Sequence, residues 1–327
     1  MNADNAVQNI AEQPSQKIVS PKTAYLLMLI TTIFWGTTFS FSQLAMETIP
    51  LFSTTFFRFF FAWIALFIIT RHKSARVHFN KAHLRQYLFV GIYFMFGYHV
   101  LFFLSLRYTT AINGAMIGAT PPILIALFLT VFFGHKLQRF QAIGIAISFI
   151  GVILTITNAD LNVLFSLQFN LGDIIMIIGM AGNALYQIYC RQRCKDINPF
   201  EYIYYGIFIC VLVALPFMLN DKPWVYIPNT VWPAWASVIY LGTLCTAFTY
   251  MAQQFSIKSI GVESTAIMCN LVPIFGFLFS VFCMGAPFQP IKLLTALVIV
   301  TGVVICQRGD QLFKPKTSPP PDRGTRS

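Results

Sequence analysis

Ten stretches of mostly apolar residues run through this chain, each about 20 residues long and so long enough to cross a bilayer. They fall near 24–45, 51–70, 86–106, 111–133, 138–157, 172–190, 201–219, 232–255, 261–283 and 290–306. Lipid offers no partner to a backbone N–H or C=O, so spanning segments must be helices or strands of a closed barrel. Barrel strands alternate apolar and polar residues over about 10 positions. Runs such as Ile143 to Ile156 do not sustain that alternation, which leaves helices. Only 10% of the residues are charged and 57% are hydrophobic, too little charge to cover a water-facing surface. The expected fold class is therefore an all-α integral membrane protein with ten transmembrane helices. The first span is longer than a signal-peptide core and no small-residue cleavage site follows it, so we expect it to be retained. The polar tails, 1–22 and 308–327 (the latter with Pro319, Pro320 and Pro321), read as disordered.

The net charge of +11 would suit a nucleic-acid binder, but its distribution argues against one. With the N-terminus in the cytoplasm, 18 of the 22 Lys and Arg residues fall on the inner side. Arg107, Lys222 and Lys292 fall outside, and Arg58 lies within a span. This asymmetry is the positive-inside pattern. It predicts a multi-pass protein of a bacterial inner (plasma) membrane with both termini cytoplasmic, whose partners are the lipid bilayer and a small-molecule substrate. The seven cysteines lie in or beside spans and form no CxxC pair. They read as apolar filling, and no metal site or cofactor is expected.

The sequence also repeats itself. A shift of 151 residues places Ser105 on Ser256, Arg107 on Lys258, Ala115 on Ala266, Pro122 on Pro273, Ile123 on Ile274, Gly134 on Gly285 and Gly151 on Gly302. The register holds without a gap from the third-to-fourth loop to the end of each half. The chain thus divides into a first repeat, 23–157, and a second, 171–307, of five spans each. An odd number of spans per repeat inserts the halves in opposite orientations. Such inverted repeats let a carrier open alternately to either side.

Several short patterns share this order: Phe34-Trp35-Gly36-Thr37-Thr38-Phe39 in the first span, Arg58-Phe59-Phe60 in the second, and Ala119-Thr120-Pro121-Pro122 in the fourth. Gly172-Asp173 opens the sixth span, Leu271-Val272-Pro273 lies in the ninth, and glycines 151 and 302 stand near the ends of the fifth and tenth. In order, spacing and duplication the region 24–306 resembles a tandem EamA-domain protein of the drug/metabolite transporter superfamily. The resemblance implies a ten-helix bundle around a central cavity, and export or exchange of amino acids or similar metabolites. It leaves room for a homodimer. One departure concerns the Gly-Glu that family members often carry after the fourth and ninth spans, replaced here by Gly134-His135 and Gly285-Ala286.

A helical step of 100° per residue sorts the polar side chains by face. It gathers Trp35 and Thr38 on the first span, Tyr98 and His99 on the third and Asn113 on the fourth. On the sixth it gathers Asn183 and Gln187, and on the eighth a stripe through Tyr240, Thr243, Ala247, Tyr250 and Gln254. The expected cavity lining is Trp35, Thr38, Tyr98, His99, Asn113, Asn183, Gln187, Tyr250 and Gln254. The alternative for each is a hydrogen bond between helices. His99 is an ionisable group inside a span, where such groups usually face a cavity or a partner. Its roles divide among substrate binding, pH sensing and proton relay. Arg58 pairs either with Glu47 or with a substrate carboxylate, for which its planar fork is suited. Asp173 reads as a cap, its charge at the positive end of the sixth helix. Pro122 and Pro273, at matched positions, read as kinks or paired gates.

Enzymes embedded in membranes carry recognisable chemistry. No HExxH, Gly-x-Ser-x-Gly or Walker A motif is present, and no catalytic residue is assigned. The sequence therefore points to a secondary carrier working by alternating access, with a membrane enzyme or a channel as the alternative.

Overall fold

The computed structural model describes residues 19–72, 77–134, 138–160 and 169–313. The outer parts of both tails and His135 lie outside these residues. Ten helices among them are long and apolar enough to cross a membrane: α1 (Pro21–Met46), α2 (Leu51–Arg71), α3 (Lys81–Leu106), α4 (Ala111–Phe132), α5 (Arg139–Ile156), α6 (Leu171–Arg193), α7 (Pro199–Asn220), α8 (Trp232–Gly261), α9 (Ser264–Phe282) and α10 (Pro290–Arg308). The ends of the expected tails are helical. Residue Ser20 caps α1 by accepting from the Thr23 N–H, with Pro21 in the first turn, and the helix of α10 continues to Phe313.

Helix packing carries the two-fold relation between the repeats. The last helices of the repeats, α5 and α10, pair with each other, as do the second helices, α2 and α7. The remaining contacts come in reciprocal sets: α1 against α8 matches α6 against α3, and α1 against α9 matches α6 against α4. Each repeat therefore completes its core only with the other, and the bundle is two interlaced halves of five helices.

Departures from regular helix recur at equivalent places. A π-helical segment occupies Phe89–Tyr98 in α3 and another Thr243–Phe248 in α8. Subtracting 151 from the second gives 92–97, inside the first. The fourth and ninth spans are broken rather than merely kinked. In α4 the first piece ends at Ile117 and the second begins at Pro121, while in α9 a helix ends at Cys269 and the next begins at Val272. Pro121 and Pro122, like Pro273, stand in the first turn of the second piece. There a missing N–H costs nothing, because the first N–H groups of a helix have no partner within it. Both of these spans are followed by a glycine in the left-handed region, Gly134 with φ 67° and Gly285 with φ 71°, a backbone state other residues enter only with strain.

Candidate functional site

Between the repeats lies a cavity of about 410 Å³, within the range that encloses small ligands. The broken helices supply part of its wall, through Gly118, Ala119, Pro121 and Pro122 from α4 and Cys269, Asn270 and Val272 from α9. Irregular backbone at membrane depth is tolerated where it lines a cavity.

Of the residues expected from their helical faces, Trp35, Thr38, Tyr98, His99, Asn183, Gln187, Tyr250 and Gln254 border this cavity, and so does Arg58. Asn113 does not. It lies toward the end of the bundle where α4 begins, and it bonds to Asp173 and Lys292. Pro122 borders the cavity, whereas on the other break Val272 does so and Pro273 is buried behind it. The Arg58–Glu47 pair is not formed. Glu47 is exposed at the C-cap of α1, while Arg58 is buried two turns inside α2.

The π segments explain how the polar anchors reach the site. A π turn carries an extra residue and releases a carbonyl from the regular ladder. In α3 the Phe94 carbonyl accepts from the Nδ1–H of His99, five residues on, at 3.3 Å. That bond fixes the His99 ring among Phe59, Phe94, Tyr98 and Phe102. In α8 the Thr246 hydroxyl donates to the Leu241 carbonyl at 2.8 Å and accepts from Arg58 Nε at 3.0 Å. One turn on, Thr249 accepts from the Trp35 indole at 3.0 Å. The pair His99 and Tyr250 occupies equivalent positions of the two repeats, 151 residues apart, and both line the cavity.

Aromatic rings form the remaining wall. Phe94 stacks on Tyr186 with centroids 3.6 Å apart and on Tyr98 at 5.1 Å, while Trp35 meets Tyr250 edge-on at 6.5 Å. Gln187 donates to Asn183 at 3.1 Å, leaving amide groups of both near the cavity surface. Tyr186, Gln253 and Asn270 also line the site. Tyr186 shares its face of α6 with Asn183, a signal the sequence held. Asn270 sits in the break of α9, which no periodicity reveals.

A second polar cluster lies away from the cavity. Asp173 is fully buried and accepts from the Thr109 hydroxyl and from Asn113 Nδ2, at 3.1 Å to its Oδ2. Lys292 Nζ donates to Asn113 Oδ1 at 2.7 Å and to the Thr155 carbonyl at 2.8 Å. Lys292 is thus a 4% exposed group in the first turn of α10, at the outer side where the charge count placed it. Asp173 does not cap α6: Asn170 does so, accepting from the Gly172 N–H. The cluster joins α4, α5 and the α3–α4 turn of the first repeat to α6 and α10 of the second.

The sequence profile of the EamA-like transporter family matches residues 22–157 and 170–307. The chain belongs to that family. Its two matched stretches are the two repeats, and the protein is a multi-pass membrane transporter. It is 28% identical to an uncharacterized transporter, YyaM, of Bacillus subtilis (strain 168), over 86% of this chain and 92% of that protein. It is 24% identical to an uncharacterized transporter of Archaeoglobus fulgidus, over 86% of this chain and 96% of the other. A solved crystal structure shares the fold with a TM-score of 0.59 at 17% identity, covering 90% of this chain and 99% of that one.

Proposed function

We propose that this EamA transporter is a secondary carrier that exports or exchanges small metabolites, amino acids among them, by alternating access through the central cavity. The observation that carries the reading is an asymmetry along the bundle. At the end bearing the basic loops the lining reaches Cys190, Tyr202, Ile257 and Thr265, each within about one turn of its helix end. At the opposite end the lining stops about two turns inside, at Phe39, Arg58, Gly118 and Met180, and Phe102 of α3 alone comes within about one turn of its helix end. There the helices are tied together. Gln43 donates to the Leu106 and Thr109 carbonyls, Ser53 donates through N–H and hydroxyl to Asp221, and the Asp173–Asn113–Lys292 cluster lies beside them. This arrangement fits a state open toward the cytoplasm, from which rocking of the repeats would open the other side.

The test is uptake by proteoliposomes preloaded with unlabelled metabolite, using radiolabelled amino acids and organic acids. We expect counterflow accumulation above protein-free vesicles for at least one class. Uptake equal to that of protein-free vesicles across the panel would sink the carrier reading.

The orientation is checked separately. In a background with the native cysteines replaced by serine, among them the exposed Cys283 and the cavity-lining Cys190 and Cys269, a cysteine replacing Lys81 should react with a membrane-impermeant maleimide only from the cytoplasmic side. One replacing Asn229 should react only from outside. The reverse pattern would invert the proposed topology and place the cavity mouth outside.

A further inference from the structure

We propose that the cavity selects organic anions bearing a carboxylate, held at Arg58, over cations and over neutral amides of the same shape. This inference rests on the carrier reading and narrows its substrate. Arg58 is 3% exposed and borders the cavity. Its Nε is committed to Thr246, and its Nη1 has no hydrogen-bond partner. The guanidinium lies about 6 Å from three rings, those of Phe59, Phe102 and Phe103. Rings soften the loss of water around a guanidinium but do not neutralise its charge. A buried cation normally has a counter-ion.

None is present here. No Asp, Glu or Lys lines the cavity among the described residues. The other groups facing Arg58 are His99 and Tyr98 from α3, Cys210 from α7, and Cys245 and Tyr250 from α8. Phenols and thiols are neutral in water near pH 7. With His99 as a neutral imidazole, the side chains of the site carry one uncompensated positive charge, and a ligand with one negative charge completes it. Among such anions the planar, two-oxygen carboxylate matches the guanidinium fork. A free ammonium would meet the field of Arg58 with no acid to balance it, so a zwitterion gains less than a simple acid of the same size. The rings of Trp35, Tyr98, Tyr186 and Tyr250 would then enclose an apolar, flat body.

The experiment measures binding to the purified full-length protein in detergent, by thermal shift and calorimetry, with one matched set of probes. These are 3-phenylpropionate, 3-phenylpropionamide, L-phenylalanine, phenethylamine and benzylphosphonate, together with the aliphatic 4-methylpentanoate. At least one of the two carboxylates should bind, and 3-phenylpropionate should exceed its amide by about tenfold or more, the scale of one charge-assisted hydrogen bond. Phenylalanine should fall between them and phenethylamine should not bind. Arg58→Gln should bring the acid-to-amide ratio close to one, and Arg58→Lys should keep part of it. The ratio is read within each variant, so a general loss of stability does not imitate the result. Equal binding of acid and amide, tighter binding of the amine, or failure of both carboxylates would overturn the proposal. Tighter binding of benzylphosphonate than of either carboxylate would overturn it in favour of a phosphoryl ligand. Binding without transport would instead count against the carrier reading alone.

Discussion

Replacing Gly144 or Gly302 with leucine is expected to prevent this protein from accumulating as a folded species. A β-carbon on Gly144 would stand 2.3 Å from the Cys306 nitrogen and 2.5 Å from the Gly302 carbonyl oxygen. One on Gly302 would stand 2.4 Å from the Ser148 hydroxyl and 2.5 Å from its backbone nitrogen. Most of these neighbours are backbone atoms of the facing helix and cannot turn aside. In lipid, helices associate mainly through such close packing, since the tails are as apolar as the side chains. The bond from the Ser148 hydroxyl to the Ile299 carbonyl, 2.9 Å long, forms only while α5 and α10 stay this close. We expect a loss of about 3 kcal/mol or more, the upper end for overpacking. The readout is the monodisperse fraction on size exclusion and the melting temperature in detergent. Gly179→Ala is the control. Its β-carbon would meet nothing nearer than Leu101 at 3.6 Å, and alanine favours a helix by roughly 0.5–1 kcal/mol over glycine. If Gly302→Leu melts with the wild type, the α5–α10 seam is not what joins the repeats.

The same seam shows why the architecture was legible in the sequence. Gly151 and Gly302 coincide at a shift of 151 because each is the contact point of the last helix in its repeat. Ten spans and their pairing into inverted halves follow from apolar run length and that register, both of which lipid enforces. The site was legible where helices are regular. Trp35 and Thr38 on α1, and Asn183 and Gln187 on α6, face the cavity as a 100° step predicts. On α8 only the later part of the stripe was legible: Tyr250 and Gln254 border the cavity, and the part before them does not. Tyr240 bonds to Thr37 and packs on Phe41, and Thr243 bonds back to Ile239, away from the cavity. The π segment from Thr243 to Phe248 adds residues per turn and rotates what precedes it out of phase with Tyr250. The burial of Lys292 was not legible, because a lysine three residues into an apolar run looks like the solvated end of a span. Only tertiary structure brings Asn113 and the Thr155 carbonyl to its ammonium.

That cluster supports the last prediction: Asn113→Leu should both destabilise the protein and open its outer end. Asn113 is the link between the charges, donating to Asp173 and accepting from Lys292. Without it, Lys292 keeps the Thr155 carbonyl and Asp173 keeps the Thr109 hydroxyl. Breaking one member of a buried ionic network typically costs about 3–5 kcal/mol. The double variant Asp173→Asn, Lys292→Met removes both charges and should cost less than Asn113→Leu, because no buried charge is left stranded. Its effect on the conformational balance should nevertheless persist, since both charges and the bonds of Lys292 to Asn113 and Thr155 are gone. If the tie favours the closed outer end by about 3 kcal/mol, its loss raises the outward-open population about a hundredfold. The readout is a cysteine at Thr38, a cavity position, in a background otherwise unreactive from outside. Labelling by an impermeant maleimide from the outer side should be slow in the parent and much faster in both variants. Faster labelling in the double variant, with a melting temperature near that of the parent, would separate gating from general loosening. Unchanged labelling in both variants would reduce the cluster to a structural joint and leave the Gln43 and Ser53–Asp221 ties as the outer closure.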